Sequence, residues 1–259
     1  MEVLTEDHIR FFREHGYVVV GPLVDEARLA TLRSAFESLE AKWARECEVS
    51  VERYRSIVSQ WTGLWEHHPA FATQIHHPEV ERVARTLLGV ERLQLFHDHL
   101  ISKPPGHSST VPWHQDYPFW PVDAPRALSC WLSLDAATAD SGALHFMPGA
   151  HLEGEQSPVD FLARNKDWGA RAKDAVAVPV PPGYAIFHSC LSWHYSPPNH
   201  TQGERRAFIA IYMDASCRWA PDHSGWHPMN EFVSVAPGEH FNADRFPRIR
   251  RADLDEVSR

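Results

Sequence analysis

The sequence predicts a mostly β protein with flanking helices, folded as a double-stranded β-helix of the jelly-roll, cupin-like kind. Three observations lead there. Helical periodicity is confined to the first part of the chain. Seven or eight short strand-like segments come after it, separated by Pro and Gly turns at the spacing of a sandwich. His and Asp also stand close together on segments whose inner faces would meet. The 259 residues are read as a single domain: 1–90 a mainly helical part packing on the sheet, 91–215 the jelly-roll core, and 216–259 an irregular C-terminal tail.

Thr5 is placed to cap a short helix that Gly16 stops after His15. Tyr17 to Val20 reads as a strand closed by Gly21-Pro22. Asp25 caps the next helix, where Leu29, Leu32, Phe36, Leu39 and Trp43 recur at helical spacing and mark a buried face. Residues 49–75 read as short helix and loop, a candidate pocket wall. His67-His68 and His76-His77 are expected at the surface or at caps, because adjacent side chains diverge. Pro78 opens a helix that ends at Gly89. Leu93, Leu95, His97, His99 and Ile101 then alternate along one strand face as far as Lys103. Further strands are expected at 111–117, Ala127 to Leu134, Leu144 to Met147, Ala175 to Val180, Tyr184 to His188 and Arg206 to Met213, with a short helix around Val159 to Arg164.

Composition excludes several classes of function. A formal net charge of −9 argues against nucleic acid as a partner. Cys47, Cys130, Cys190 and Cys217 form no CxxC pair, so a zinc knuckle is not expected. The run Met1 to Asp7 has neither a basic n-region nor an apolar h-region, and no apolar stretch is long enough for a bilayer. A cytoplasmic protein with reduced thiols and no membrane partner is the expectation. The C-terminal Val257-Ser258-Arg259 is not a peroxisomal address.

The chemistry centres on Val111-Pro112-Trp113-His114-Gln115-Asp116-Tyr117. Read as a strand, it projects His114 and Asp116 to one side and Gln115 to the other. An imidazole beside a carboxylate is two thirds of the 2-His-1-carboxylate set that holds non-haem Fe(II). With 18 His in the chain, His-x-Asp alone is a weak signal, and a second His must come later in the right context. His188 and His194 are the two candidates. His194 is favoured because it is succeeded by Ser196, the turn Pro197-Pro198-Asn199 and then Arg205. The turn would fold Arg205 back beside His194, where its guanidinium fork could hold the distant carboxylate of 2-oxoglutarate. Ser196 could add a hydroxyl donor. Arg206 would face the opposite side of its strand, so only one of the two arginines can reach the pocket.

Taken together, these segments resemble the phytanoyl-CoA dioxygenase family of Fe(II)- and 2-oxoglutarate-dependent oxygenases. The resemblance is carried in order by Lys103-Pro104-Pro105-Gly106, Trp113-His114-Gln115-Asp116, Ser141-Gly142-Ala143-Leu144 through Pro148-Gly149-Ala150-His151, Trp193-His194-Tyr195-Ser196 through Arg205, and Arg245-Phe246-Pro247. It implies His114, Asp116 and His194 as iron ligands, and Arg205 and Ser196 at the 2-oxoglutarate carboxylate. It also implies Lys103 and Trp131 lining the co-substrate pocket, and His151 in a structural turn. Asp116 is intact, where the related halogenases carry Gly or Ala, so hydroxylation or a similar oxidation is implied. The reaction would consume O2 and 2-oxoglutarate and release succinate and CO2. A cupin-type hydrolase or isomerase with the same triad, or a non-catalytic jelly-roll binding protein, would have no need of Arg205 with Ser196. The substrate is expected to be a small metabolite, amino-acid derivative or natural-product intermediate, with a phosphonate as a further option. A CoA thioester is not expected, since the chain is shorter than members with acyl-CoA extensions and has no basic patch for CoA phosphates. Tyr117, Phe119, Trp120, Trp61 and Trp65 are candidate aromatic walls of the pocket.

Overall fold

The N-terminal helix α1 (Glu6–His15) is capped by Thr5, whose hydroxyl accepts from the His8 amide, and it ends at Gly16. Gly16 adopts φ +84°, and a Cβ there would lie 2.6 Å from both His151 Nδ1 and Ser192 Oγ, so conformation and space both demand glycine. This computed structural model describes residues 3–106, 110–160, 172–224 and 227–251. After β1 (Tyr17–Val20), α2 (Glu26–Glu46) starts at the Asp25 cap and buries Leu29, Leu32, Phe36 and Leu39. Residues 49–75 resolve into α3 (Val51–Arg55), β2 (Gln60–Thr62), α4 (Leu64–His67) and α5 (Pro69–Gln74). His68 does cap a helix, its Nδ1 accepting from the Ala70 amide at 3.1 Å. Then comes α6 (Pro78–Leu88), closed by Gly89 in the left-handed region.

The remaining strands are β3 (Leu93–Lys103), β4 (Val111–His114), β5 (Ala127–Ser133), β6 (Leu144–Phe146), β7 (Val176–Val178), β8 (Ala185–Ser189), β9 (His194–Ser196) and β10 (Arg205–Asp214). A short α7 (Pro221–Ser224) lies in the tail. The described strands form two antiparallel sheets. One is six-stranded in the order β1-β8-β5-β10-β3-β2, and the other is four-stranded in the order β4-β9-β6-β7. This is the expected jelly-roll layering. Strand β10 shows how the layers divide. Phe208, Ala210 and Tyr212 point into the core shared with the helices, whereas Ile209, Ile211 and Met213 point into the core between the sheets.

Four expectations need correction. Leu93 to Ile101 do not share one face. The register of β3 on β10 slips, pairing Tyr212 with Leu95 and Ile211 with His97, so Phe96 is an extra residue. That bulge reverses the alternation: Leu95 faces the helices, while His97, His99 and Ile101 face the cavity between the sheets. Asp116 does not lie on a strand. The strand stops at His114, and Asp116 takes helical dihedrals at the start of a 3₁₀ turn, held by its amide on the Cys190 carbonyl at 3.1 Å. Trp61 and Trp65 belong to the helix-side core, Trp61 edge-on to Phe36, and neither walls the pocket. Of the short helix expected around Val159 to Arg164, residues 161–164 lie outside the described residues, and Val159 and Asp160 are not helical.

The tail is irregular but anchored. The Gln94 amide donates to the carbonyls of Phe241 and Phe246, and the Leu95 amide to that of Pro247 at 2.9 Å. Phe241 and Phe246 thereby enter the inter-sheet core beside Phe96.

Candidate metal and co-substrate site

Strands β4 and β9 pair so that His114 stands directly opposite His194, with ring centroids 4.1 Å apart. Cross-strand partners project to the same face. The turn after β4 returns Asp116 toward them: Asp116 Oδ1 lies 3.5 Å from His114 Nε2 and 3.8 Å from His194 Nε2. Among the described residues, His114, Asp116 and His194 are the group whose ligand atoms converge as a metal would require, all within 4.8 Å of one another.

The imidazoles are oriented by the backbone. His114 Nδ1 lies 2.8 Å from the Pro112 carbonyl, and His194 Nδ1 lies 3.0 Å from that of Ser192. A carbonyl can only accept, so each Nδ1 carries a proton, and Nε2 is the ring atom turned toward Asp116. Burial pushes His194 well below the usual histidine range and so toward the neutral form. Burial alone would raise the Asp116 carboxyl, but His194, His114 and His188 outweigh it and hold the group well below the ordinary carboxylate range. The carboxylate and the His194 imidazole are therefore ready for a divalent cation without first losing protons. The second carboxylate oxygen, Oδ2, accepts from Ser129 Oγ at 3.0 Å.

His188 is buried nearby, with Nδ1 4.0 Å from Asp116 Oδ2, but it is not part of the converging set. It sits on β8 opposite Ser129, behind the carboxylate. His151 bonds the Arg13 carbonyl at 3.1 Å, which is a structural role.

The wall of the large sheet supplies the second half of the site. Arg205 is 1% exposed and lies on the inner face of β10, where its Nη2 donates to Ser196 Oγ at 3.1 Å. Its guanidinium carbon stands 5.3 Å from the centroid of the Trp131 ring. Nε of Arg205 is buried without a hydrogen-bond partner. Burial lowers its pKa to about 10, which leaves the guanidinium charged at neutral pH. Arg206 points the other way and is bound by Asp135 at 2.8 Å and Glu37 at 3.0 Å.

Two of the expected co-substrate contacts take different forms. Ser196 Oγ accepts from Arg205 and donates to the Gly142 carbonyl at 3.0 Å, so its proton is already placed and the hydroxyl steadies the arginine. Lys103 pairs with Arg205 across β3 and β10, but it stands behind the cavity wall, its Nζ donating to the carbonyls of Ser196 and Pro197. Burial, and then the neighbouring Arg205 charge, lowers its pKa to about 7.

The halves meet in a cavity of about 360 Å³ lined by His114, Asp116, His194, Ser196, Trp131 and Arg205. Phe119 and Trp120 also line it, as two of the expected aromatic walls; Tyr117 is instead buried with its hydroxyl on the Val122 carbonyl. Among the lining residues not foreseen in a site role are Ser129, His97, His99 and His227. Ser129 was within reach of sequence reasoning, since it lies two residues from Trp131 on the same strand face. Its bond to Asp116 had no sequence signal.

A family model described as phytanoyl-CoA dioxygenase matches residues 12–207. Methylphosphonate hydroxylase of Gimesia maris is 26% identical over 215 residues, covering 81% of this chain and 80% of that one. The peroxisomal phytanoyl-CoA dioxygenase of Homo sapiens is 25% identical over 241 residues, covering 84% and 70%. Among solved structures, the non-heme alpha ketoglutarate dependent carbocyclase SnoK of nogalamycin biosynthesis superposes with a TM-score of 0.78 at 25% identity, covering 95% of this chain and 97% of its own.

Proposed function

The chain belongs to the phytanoyl-CoA dioxygenase family and is a 2-oxoglutarate-dependent non-haem iron dioxygenase, and on that premise we propose that His114, Asp116 and His194 hold its iron and Arg205 anchors its co-substrate. The observation that carries the proposal is the pairing of a converging His-Asp-His set with a buried arginine whose Nε has no partner. The donor set fits a divalent iron: one anionic oxygen and two oriented Nε2 lone pairs, with room beside them for other ligands. A buried, incompletely bonded guanidinium fits a carboxylate that arrives only with the co-substrate.

When iron, 2-oxoglutarate and O2 are bound, the chemistry supplied is oxidative decarboxylation to succinate and CO2, coupled to oxidation of a C–H bond. The chain's own residues do the rest. Ser129 holds Asp116 in place, and the Pro112 and Ser192 carbonyls hold the imidazoles. Arg205, steadied by Ser196 and Trp131, orients the co-substrate from its far end. Phe119, Trp120, Ile209 and Ile211 exclude water around the bond to be oxidised.

The substrate is a small molecule. At about 360 Å³ the cavity is near the low end of ligand pockets, roughly 300–1,000 Å³, and 2-oxoglutarate claims part of it. That leaves no room for a nucleotide-bearing CoA thioester inside. The expected test outcome is loss of Fe(II)-dependent succinate formation in His114→Ala, Asp116→Ala and His194→Ala, each still folded by circular dichroism, with partial activity kept in His188→Ala. Activity retained in Asp116→Ala, or lost only in His188→Ala, would overturn the ligand assignment. A wild-type protein that makes no succinate in the presence of Fe(II) would favour a hydrolase or isomerase on the same triad.

A further inference from the structure

Past the bulge at Phe96, β3 turns two histidines into the cavity, and the tail brings a third. The rings of His97 and His99 lie 5.3 Å apart, and His227 lies 5.8 Å from His97. We propose that His97 and His99, backed by His227, recognise the substrate, and that the group they recognise is neutral and oxygen-bearing, a hydroxyl or carbonyl on a carbon skeleton. The proposal rests on the dioxygenase reading and extends it to the class of substrate.

These histidines are not a second metal centre. Among the described residues, the group of three or more ligands that converges on one point is His114, Asp116 and His194. His227 Nδ1 accepts from the Met229 amide at 3.1 Å, but His97 and His99 are not satisfied by the fold. Nδ1 of His97 and Nδ1 of His99 are buried without a well-formed hydrogen bond. A buried polar atom left unpaired is costly, and both rings lie on the cavity wall. Burial also drives all three imidazoles toward the neutral form, lowering His99 and His227 to about 4. A neutral imidazole offers one donor and one acceptor, the complement of a hydroxyl.

Charge points the same way. Among the described lining residues, Arg205 is the one Lys or Arg, and it is committed to 2-oxoglutarate. Lys103 is turned away onto two backbone carbonyls. A phosphonate, phosphate or carboxylate brought in beside Asp116 and 2-oxoglutarate would find no permanent cation, whereas anion recognition relies on Arg or Lys. Phe119, Trp120 and Ile211 on the same cavity wall are fit to hold a carbon skeleton. Gln60, an amide on β2, adds a further neutral donor and acceptor.

The test uses the anaerobic Fe(II) protein saturated with 2-oxoglutarate, whose charge-transfer band shifts when a molecule enters beside the iron. Two probes are titrated: cyclohexane-1,3-diol, neutral with two hydroxyls, and methylphosphonate, an anion. The diol should perturb the band, and methylphosphonate should bind at least tenfold more weakly. His97→Leu and His99→Leu should each weaken the diol tenfold or more, His99→Gln should recover part of the loss, and the 2-oxoglutarate midpoint should stay within about twofold in all three. Tighter binding of methylphosphonate, no perturbation by either probe, or a diol midpoint unmoved by both Leu variants would overturn the proposal. A wild-type protein giving no charge-transfer band with 2-oxoglutarate would remove the reading it rests on, and is told apart because it appears before any probe is added.

Discussion

Replacing Arg205 by Met removes the cation that should bind the far carboxylate of 2-oxoglutarate, while a side chain of similar length fills the space. Arg205 is 1% exposed, makes one hydrogen bond to Ser196, and leaves Nε unpaired. Truncating one partner of a buried, hydrogen-bonded charge pair costs about 2–5 kcal/mol of binding. At about 1.4 kcal/mol per tenfold, the affinity for 2-oxoglutarate should fall by roughly 30-fold to several thousand-fold. Iron affinity should hardly change, because no metal donor is lost. Thermal stability without co-substrate should not drop, because a buried cation with an unmet donor is itself unfavourable. Arg206→Met should show the reverse. It removes the guanidinium that bonds Asp135 and Glu37, leaving Asp135 its ion pair with Arg33, so the melting temperature should fall while 2-oxoglutarate binding stays intact. The assay is an anaerobic titration of 2-oxoglutarate into the Fe(II) protein, read by its charge-transfer band, beside calorimetric melting of both variants. An unchanged midpoint in Arg205→Met would refute the anchor, and a large shift in Arg206→Met would transfer the role.

Ser129→Ala removes the donor to Asp116 Oδ2 and should weaken Fe(II) binding by about 10–100-fold, measured by competition with a chelator. Gly142→Ala should destabilise the fold by about 1–3 kcal/mol, since Gly142 sits at φ +88° with a new Cβ 2.7 Å from the Pro197 carbonyl; the strain falls on the loop after Ser196, so 2-oxoglutarate affinity should fall as well. Lys103 has a folded pKa lowered to about 7, so between there and its unfolded value near 10.5 the unfolded chain binds more protons and stability should rise with pH. The penalty of its buried charge is fully present below about pH 7 and fades above it. Chemical denaturation of wild type and Lys103→Met at pH 7 and pH 9 should therefore show the wild type gaining stability relative to the variant, and an equal difference at both pH values would refute this.

Legibility in the sequence depended on local rules. Thr5, Asp25 and Gly89 act at helix ends through contacts a few residues away, and the helices end where those residues stand. Arg205 is separable from Arg206 because strand alternation is also local, and β10 keeps it unbroken over ten residues. Ser196 and Arg205, a short way past His194, distinguish it from His188, and the structure brings His194, not His188, into the converging set. The failures share one cause, which is that pairing partners are distant in sequence. The bulge at Phe96 exists only in the register with β10, so nothing in Leu93 to Ile101 announces that the alternation will reverse. Strands β2 and β9 have three residues each, too few to display a period, and are fixed by β3 and by β4 and β6. Asp116 reaches the predicted place by another route. A carboxylate two residues beyond a strand-borne His can be aimed by a turn as well as by a pleat, and the choice is made by the Cys190 carbonyl, far along the chain.

The division of the site between two sheets explains why the stretch from His194 to Arg205 has the composition it has. His114 and His194 belong to the small sheet, whereas Arg205 and Trp131 belong to the large one. On the proposed assignment, a co-substrate that touches the metal at one end and Arg205 at the other measures the gap between the layers, so that gap has to be fixed. The connection is the segment 197–204. Asn199 is fully buried within it, its Nδ2 donating to the carbonyls of Lys103 and Gly203 while its Oδ1 accepts from Thr201. Asn199 thereby ties the crossing to the end of β3, and Lys103 ties the same strand back to Ser196 and Pro197. Gly142 presses against Pro197 from the small-sheet side, with its carbonyl on Ser196 Oγ. The Lys103 and Asn199 contacts tie the crossing and the end of the small sheet's β9 to the end of β3 in the large sheet. The Pro-Pro-Asn run after His194 therefore acts as a spacer rather than a hairpin: it carries the chain across the sandwich and, on the proposed assignment, sets the span over which 2-oxoglutarate would be held.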